Sequence, residues 1–259
     1  MIDAIIFSDN NPQMLSLTLQ SLEKNLPKDS KVSIIYSCSD TKTPKGYLSL
    51  MSGIKTSLNL YWNPTNSLKE TILGVLKTIT SKEVIILTDG DVLFEKFDDS
   101  VIKECLAQDD VLCHSLRLGL NTTVCVRMEC ENVIKAEESE NHIKWNWTKH
   151  YLDFGYPFSL HGHVFNTKEI LKLIKKTNFS SYIELEDGLQ MFEYYPKEFM
   201  TAFKESKSIF MPYIPDSITI EDFLNGYIPD FDNMNFSNMK QCEGNVKFET
   251  IKKENNEKK

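Results

Sequence analysis

Apolar runs that end in short polar residues recur through the first hundred positions, and they set the expected architecture. Ala4-Ile5-Ile6-Phe7 runs into Ser8-Asp9-Asn10-Asn11-Pro12, after which Met14, Leu15, Leu17, Leu19, Leu22 and Leu26 recur at helical spacing with Pro12 in the first turn. Val32-Ser33-Ile34-Ile35-Tyr36 predicts a second strand, ending in Ser37-Cys38-Ser39-Asp40, and Leu58 to Trp62 a third. Asn66-Ser67-Leu68-Lys69-Glu70 predicts a helix start, with Ser67 as cap and Glu70 completing a capping box, and that helix runs to about Ile79. Val84 to Leu87 is apolar without polar alternation, the pattern of a strand buried on both faces. Strands alternating with helices in this way argue for an α/β domain built on a mostly parallel sheet with right-handed crossovers.

The second half is less regular. Asp98 to Gln108 predicts a helix, Val111 to Leu118 a strand, Thr122 to Met128 an edge strand or a hairpin with its predecessor, and Glu137 to His142 a polar loop. Trp145 and Trp147 share one face if the chain is extended there, and core or interface packing accounts for them better than stacking on a sugar. The passage from Asp153 to Phe165 is dense in aromatic residues, glycine and histidine, too rich for a plain linker. Thr167 is expected to cap a helix reaching about Lys176, and Glu184-Leu185-Glu186-Asp187-Gly188 to precede another. After Pro215 the periodicity weakens, and residues 251–259 have the composition of a solvated tail.

Composition narrows the function classes. The 259 residues are 41% hydrophobic and 25% charged, as in soluble globular proteins, and 29 Lys plus Arg against 37 Asp plus Glu leave a net charge of −8. An acidic chain without a basic cluster outside its tail excludes sequence-tolerant nucleic-acid binding. No run is long enough for a membrane span and the N-terminus lacks a signal-peptide pattern, so a cytoplasmic protein is expected. Six cysteines without a C-x-x-C pair read as free thiols of a reducing compartment rather than a zinc site.

The candidate chemistry sits after the central strand. Asp89-Gly90-Asp91 reads in two ways: as a strand-ending turn, or as two carboxylates that offer oxygens to one hard cation while Gly90 admits a diphosphate. Strand ends after Phe7, Tyr36 and Leu87 would meet in one crevice. Neither a dinucleotide glycine fingerprint nor a phosphate-binding Gly-Lys-Ser/Thr loop follows the first strand, so a divalent metal would replace those devices. Arg117 reads equally as a surface salt bridge and as a diphosphate contact.

Taken together, the Ser8-x-x-x-Pro12 loop, the strand running to Asp40, Asn66 to Glu70, Thr88-Asp89-Gly90-Asp91-Val92-Leu93-Phe94, His114 to Gly119 and Phe154 to His163 resemble the family 2-like glycosyltransferases of the type A nucleotide-diphospho-sugar transferase fold. The resemblance covers about residues 2 to 200 and implies one Rossmann-like domain over 1–225, with a small antiparallel element, followed by an extension and flexible polar tail over 226–259. It further implies Asp40 on the nucleotide base, Ser8 against the nucleotide, Asp89 and Asp91 on Mn2+ or Mg2+, and His163 reaching the metal or the diphosphate. Asp187, with Glu186 as near alternative, is implied as the base that takes a proton from the hydroxyl acceptor, a glycan or other alcohol. His161 stands where the family carries an acidic residue. The expected activity is metal-dependent transfer from a nucleotide sugar, with inversion; self-association is left open. The competing classes are a non-catalytic nucleotide- or glycan-binding protein on the same fold, a nucleotidyltransferase, which would carry a basic Gly-rich first loop, and a phosphatase, whose Asp-x-Asp would lie on the first strand. For Glu186 and Asp187 the competing reading is acidic charge at a helix N-terminus.

Overall fold

The structure is a computed structural model and describes residues 1–192, 195–212 and 218–252. The first half alternates strand and helix, all but α2 as the pattern predicts: β1 (Asp3–Asp9), α1 (Pro12–Asn25), β2 (Lys31–Ser37), α2 (Thr43–Gly53), β3 (Asn59–Pro64), α3 (Leu68–Thr78) and β4 (Glu83–Thr88). Next come β5 (Asp91–Leu93), α4 (Asp99–Leu106), β6 (Val111–Ser115), β7 (Val124–Cys125), β8 (Cys130–Glu131), β9 (Glu137–Glu138) and β10 (His142–Asn146). The remainder is β11 (His163–Asn166), α5 (Thr167–Lys176), α6 (Tyr182–Gln190), β12 (Phe199–Phe203), β13 (Ser208–Phe210), α7 (Ile220–Leu224), β14 (Tyr227–Pro229) and β15 (Thr250–Lys252).

Nine strands form one sheet in the order β3-β2-β1-β4-β11-β6-β12-β10-β9. β1 to β4 are mutually parallel, β11 runs antiparallel between β4 and β6, and β12 pairs parallel with β6. Alternating side chains serve two cores. Ile5, Phe7, Val84 and Ile86 face α3, α5 and α6, whereas Ala4, Ile6, Ile85 and Leu87 face α1, α2, α4 and α7. That double burial is why β4 carries no polar alternation. The chain moves outward from β1 to β3 and then returns to β4 on the other side of β1, so the order reverses beside the carboxyl ends of β1 and β4.

Several expectations are corrected. α2 falls in a stretch read only as a connection; Gly46, Ser49, Ser52 and Gly53 are weak helix formers, and burial of Tyr47 and Leu50 holds it in place. Ser67 does precede α3, but its side chain makes no capping bond, so the capping box is not formed. The cap of α5 is Asn166, which accepts from the Lys168 and Glu169 amides, and Thr167 is already helical. β7 pairs with β8, its successor rather than its predecessor, and the expected loop over 137–142 holds β9 and the start of β10. Trp145 and Trp147 do not share a strand face: Trp145 lies in β10 and Trp147 in a 3-10 turn, both buried, with indole nitrogens donating to the Phe154 and Lys197 carbonyls. Ile251 and Lys252 belong to β15 rather than to a tail; Pro215 and residues 253–259 lie outside the described residues. Beyond residue 225 the chain packs on the domain, with Phe231, Met234 and Val246 joining Met14, Leu17, Val92 and Ile209 in a third cluster.

Ile86 is fully buried between β1 and β11. Ile86→Ala is expected to lower stability by about 2–5 kcal/mol, read by chemical denaturation.

Candidate functional site

A cleft of about 260 Å³ opens where the strand order reverses. Phe7, Ser8 and Asp9 from the end of β1, Ile35 and Ser37 from β2, Thr65 and Asn66 after β3, and Ser180 to Ile183 at the start of α6 line it. Parallel strands that end together leave their loops on one rim, the position where open α/β sheets receive ligands. Ser8 lies on this wall with its hydroxyl already engaged: it donates to Asp89 Oδ2 at 2.8 Å and lies 2.6 Å from the Tyr47 hydroxyl.

Asp89-Gly90-Asp91 is a turn rather than extended chain. Gly90 has φ +102°, and a Cβ there would lie 2.6 Å from the Met211 carbonyl oxygen, so the glycine serves the backbone itself. The turn nonetheless keeps the two carboxylates within reach of each other's charge. Asp89 accepts from Ser8 and from the Asp9 amide, and burial, assisted by the charges of Asp9 and Asp91, pushes its carboxyl up to about 7. Asp91 is 1% exposed; its Oδ2 accepts from the Thr88 amide at 2.6 Å and the Thr88 hydroxyl at 3.2 Å, and lies 3.2 Å from His161 Nδ1. Its Oδ1 is buried with no hydrogen-bond partner among the described residues.

An unpartnered carboxylate oxygen beside a carboxyl that resists ionisation suits a divalent cation, which would satisfy the first and neutralise the second. Among the described residues no group of three or more His, Cys, Asp or Glu side chains is arranged to hold a metal. A cation bound there would draw two protein ligands at most from this pair and would complete its shell with substrate phosphate and water.

The second carboxylate set approaches from α6. Glu186 is buried, accepting from the Tyr156 hydroxyl at 3.0 Å and the Leu160 amide at 2.7 Å, and its Oε2 lies 4.0 Å from His161 Nε2. Burial and the Glu186 charge push the Tyr156 hydroxyl up, so it stays a donor. Asp187 is exposed, one turn after the cleft residue Ile183 and on the same helical face. α6 begins at Tyr182, capped by Ser181, so Glu186 and Asp187 sit mid-helix, and N-terminal charge placement does not explain them.

Three expected residues lie elsewhere. Asp40 is exposed and accepts from the Lys42 and Thr43 amides and the Thr43 hydroxyl, holding the turn into α2 rather than lining the cleft. Arg117 is neither on the surface nor on the cleft wall: it is buried, 3.7 Å from Asp153, with the charges of Glu186 and Glu243 acting on it. His163 is fully buried and sits beside the Pro157 carbonyl and Cys113, its basicity driven far down by burial; no bond joins it to Asp89 or Asp91. Gly162, at φ +68°, breaks the strand between the two histidines, and His161 is the one that meets Asp91. Tyr47 and Phe210, whose ring stacks on His161 at 3.7 Å, were not singled out; a lone aromatic carries no pattern that would mark it.

The sign of one pH effect follows. Asp89 takes up a proton near pH 7 when folded but near 3.8 when unfolded, so between these values the folded state binds more protons and stability falls as pH rises. In metal-free buffer Asp89→Asn, which keeps an acceptor for Ser8, is expected to raise the melting temperature at pH 8 by more than at pH 5. Equal shifts at both pH values would contradict the raised carboxyl.

Among solved structures the chain is similar to S. aureus TarS at 15% identity and TM-score 0.53, covering 80% of this chain and 36% of that one. TarS 1–349 in complex with UDP matches at 14% identity and TM-score 0.53, over 80% of this chain and 60% of that chain. The same protein in complex with UDP-GlcNAc matches at 14% and 0.52, over 86% and 63%. The chain thus spans less than two thirds of the length of these relatives. No family model and no curated protein matches the sequence. Among the described residues no helix is long and apolar enough to cross a membrane. With β11 reversed between the parallel strands β4 and β6, and with these likenesses, the chain has the type A nucleotide-diphospho-sugar transferase fold.

Proposed function

We propose that the chain is a family 2-like glycosyltransferase that moves a sugar from a nucleotide-diphosphate donor to a hydroxyl acceptor with inversion, using Mn2+ or Mg2+. The observation that supports this reading is the closeness of Asp91, after β4, and Glu186, on α6, with His161 between them, Asp187 being the next residue on that helix. Breaking a sugar–diphosphate bond puts charge on the leaving phosphate and needs a proton acceptor on the other side of the sugar. A divalent cation held by Asp89 and Asp91 would supply the positive charge for the first need.

The chain's own groups divide the remaining work. The cleft beside Ser8, Asn66 and Tyr182 receives the nucleoside, next to Asp89. Both Glu186 oxygens are already accepting hydrogen bonds, so Glu186 is suited to hold the helix in place. Asp187, exposed on the turn beyond Ile183, is the carboxylate free to take the acceptor proton. Because TarS has been obtained with UDP and UDP-GlcNAc, uridine nucleotides are the first donors to try.

Nucleotide sugars with Mn2+ are expected to raise the melting temperature more than either alone; a donor at a hundred times its Kd contributes about 2.7 kcal/mol. If no nucleotide sugar shifts the transition, the reading is lost. Binding without turnover would leave a non-catalytic nucleotide-binding protein. Asp187→Asn is expected to slow transfer by about 100- to 10,000-fold with donor affinity retained. An unchanged rate would remove Asp187 from the role of base.

A further inference from the structure

We infer that His161 is a positioning residue that ties the Asp91 carboxylate to the segment holding Glu186 on α6, so that the two halves of the site keep a fixed separation. The inference rests on the transferase reading for its kinetic consequences and on geometry alone for the tie.

The segment from Tyr156 to His161 touches both carboxylate sets. Its Tyr156 hydroxyl and Leu160 amide grip Glu186, and the next residue, His161, places Nδ1 3.2 Å from Asp91 Oδ2 and 3.1 Å from the Thr88 hydroxyl. The Thr88 hydroxyl also reaches Asp91 Oδ2, at 3.2 Å. A carboxylate only accepts, so the Nδ1 atom facing it carries the ring proton. Nε2 lies 4.0 Å from Glu186 Oε2, beyond hydrogen-bond range, so the link to Glu186 runs through the preceding residue, Leu160, whose amide donates to Oε2 at 2.7 Å. Few other orientations are open to the ring: it is buried, stacked at 3.7 Å and 23° on Phe210, and bounded on the chain side by the Gly162 turn.

Phe210 is itself fixed from two directions. It pairs with Asp91 across the β5–β13 ladder, and it exchanges backbone bonds with the C-terminal segment, its amide donating to Cys242 at 3.0 Å and its carbonyl accepting from Gly244 at 2.9 Å. A histidine that orients a metal-binding carboxylate acts through that carboxylate, and loss of such supporting groups costs about 10- to 100-fold in metal affinity or activity.

Three substitutions separate this role from simple packing. His161→Phe keeps a ring for Phe210 and has no nitrogen; His161→Asn places an amide near the Nδ1 position; His161→Gln extends one toward Nε2. Mn2+ affinity is measured without donor, and kcat and KM for donor hydrolysis are measured separately. His161→Phe is expected to lose about 10- to 100-fold in Mn2+ affinity. His161→Asn is expected to restore both that affinity and kcat, and His161→Gln to restore neither. In the absence of metal, the effects of Asp91→Asn and Glu186→Gln on the denaturation midpoint are expected to be non-additive in the wild-type background and additive in His161→Phe. The tie is refuted if the two effects add in both backgrounds, or if His161→Phe and His161→Asn behave alike in every measure. A wild-type protein that turns over no nucleotide sugar but keeps the non-additivity removes the transferase reading and leaves the tie.

Discussion

A carboxylate kept out of water at the end of a strand that is itself buried on both faces is the constraint from which the site follows. Asp91 cannot be solvated, so the Thr88 amide and hydroxyl and the His161 ring must gather around it. Each partner fixes a neighbour. Thr88 ends β4, His161 fixes the segment that grips Glu186, and the β5 backbone, paired to β13, brings Phe210 over the imidazole. One oxygen of Asp91 is left without a hydrogen-bond partner among the described residues, and on the proposed reading a cation would fill that shortfall.

Electrostatics on the other side of the turn points the same way. Asp89 is held by Ser8 and the Asp9 amide, yet burial and two neighbouring carboxylates work against its charge. A protein rarely tolerates such a cluster for stability alone, and strongly perturbed acids in a cleft are a recognised mark of function. Tyr47, from a helix on the opposite face of the sheet from α6, shares the Ser8 hydroxyl, so the first wall of the cleft is tied to both layers of the fold.

Much of this was legible in the sequence because it depends on burial. The runs before Ser8, Ser37 and Thr88 mark three strand ends, and since parallel strands end on one rim, their polar successors had to converge. The Asp pair and the Glu-Asp pair were visible as residues, and the resemblance placed them on one fold. What escaped depends on single torsions or on contacts between distant segments. An extended chain would carry Asp89 and Asp91 on one side, whereas positive φ at Gly90 turns it; the resemblance pointed to His163, whereas His161, before the positive φ of Gly162, is the histidine beside Asp91. Asp40 carries the right charge at the right strand end but spends its oxygens on the turn into α2. α2 itself leaves little periodic trace, since Thr43, Gly46, Tyr47 and Leu50 are its buried positions.

The contacts that finish the site join parts of the chain far apart in order: Met211 donates to the Gly90 carbonyl, and Phe210 is bracketed by Cys242 and Gly244. During synthesis the first four strands can pair as they emerge, for their partners are local and early. The imidazole gains its aromatic cover only after position 210 has been made, and that cover is locked only once residue 244 has left the ribosome. The four parallel strands at one end of the sheet can thus pair well ahead of the centre they support, whereas β12, at Phe199–Phe203, enters the sheet only shortly before Phe210 follows.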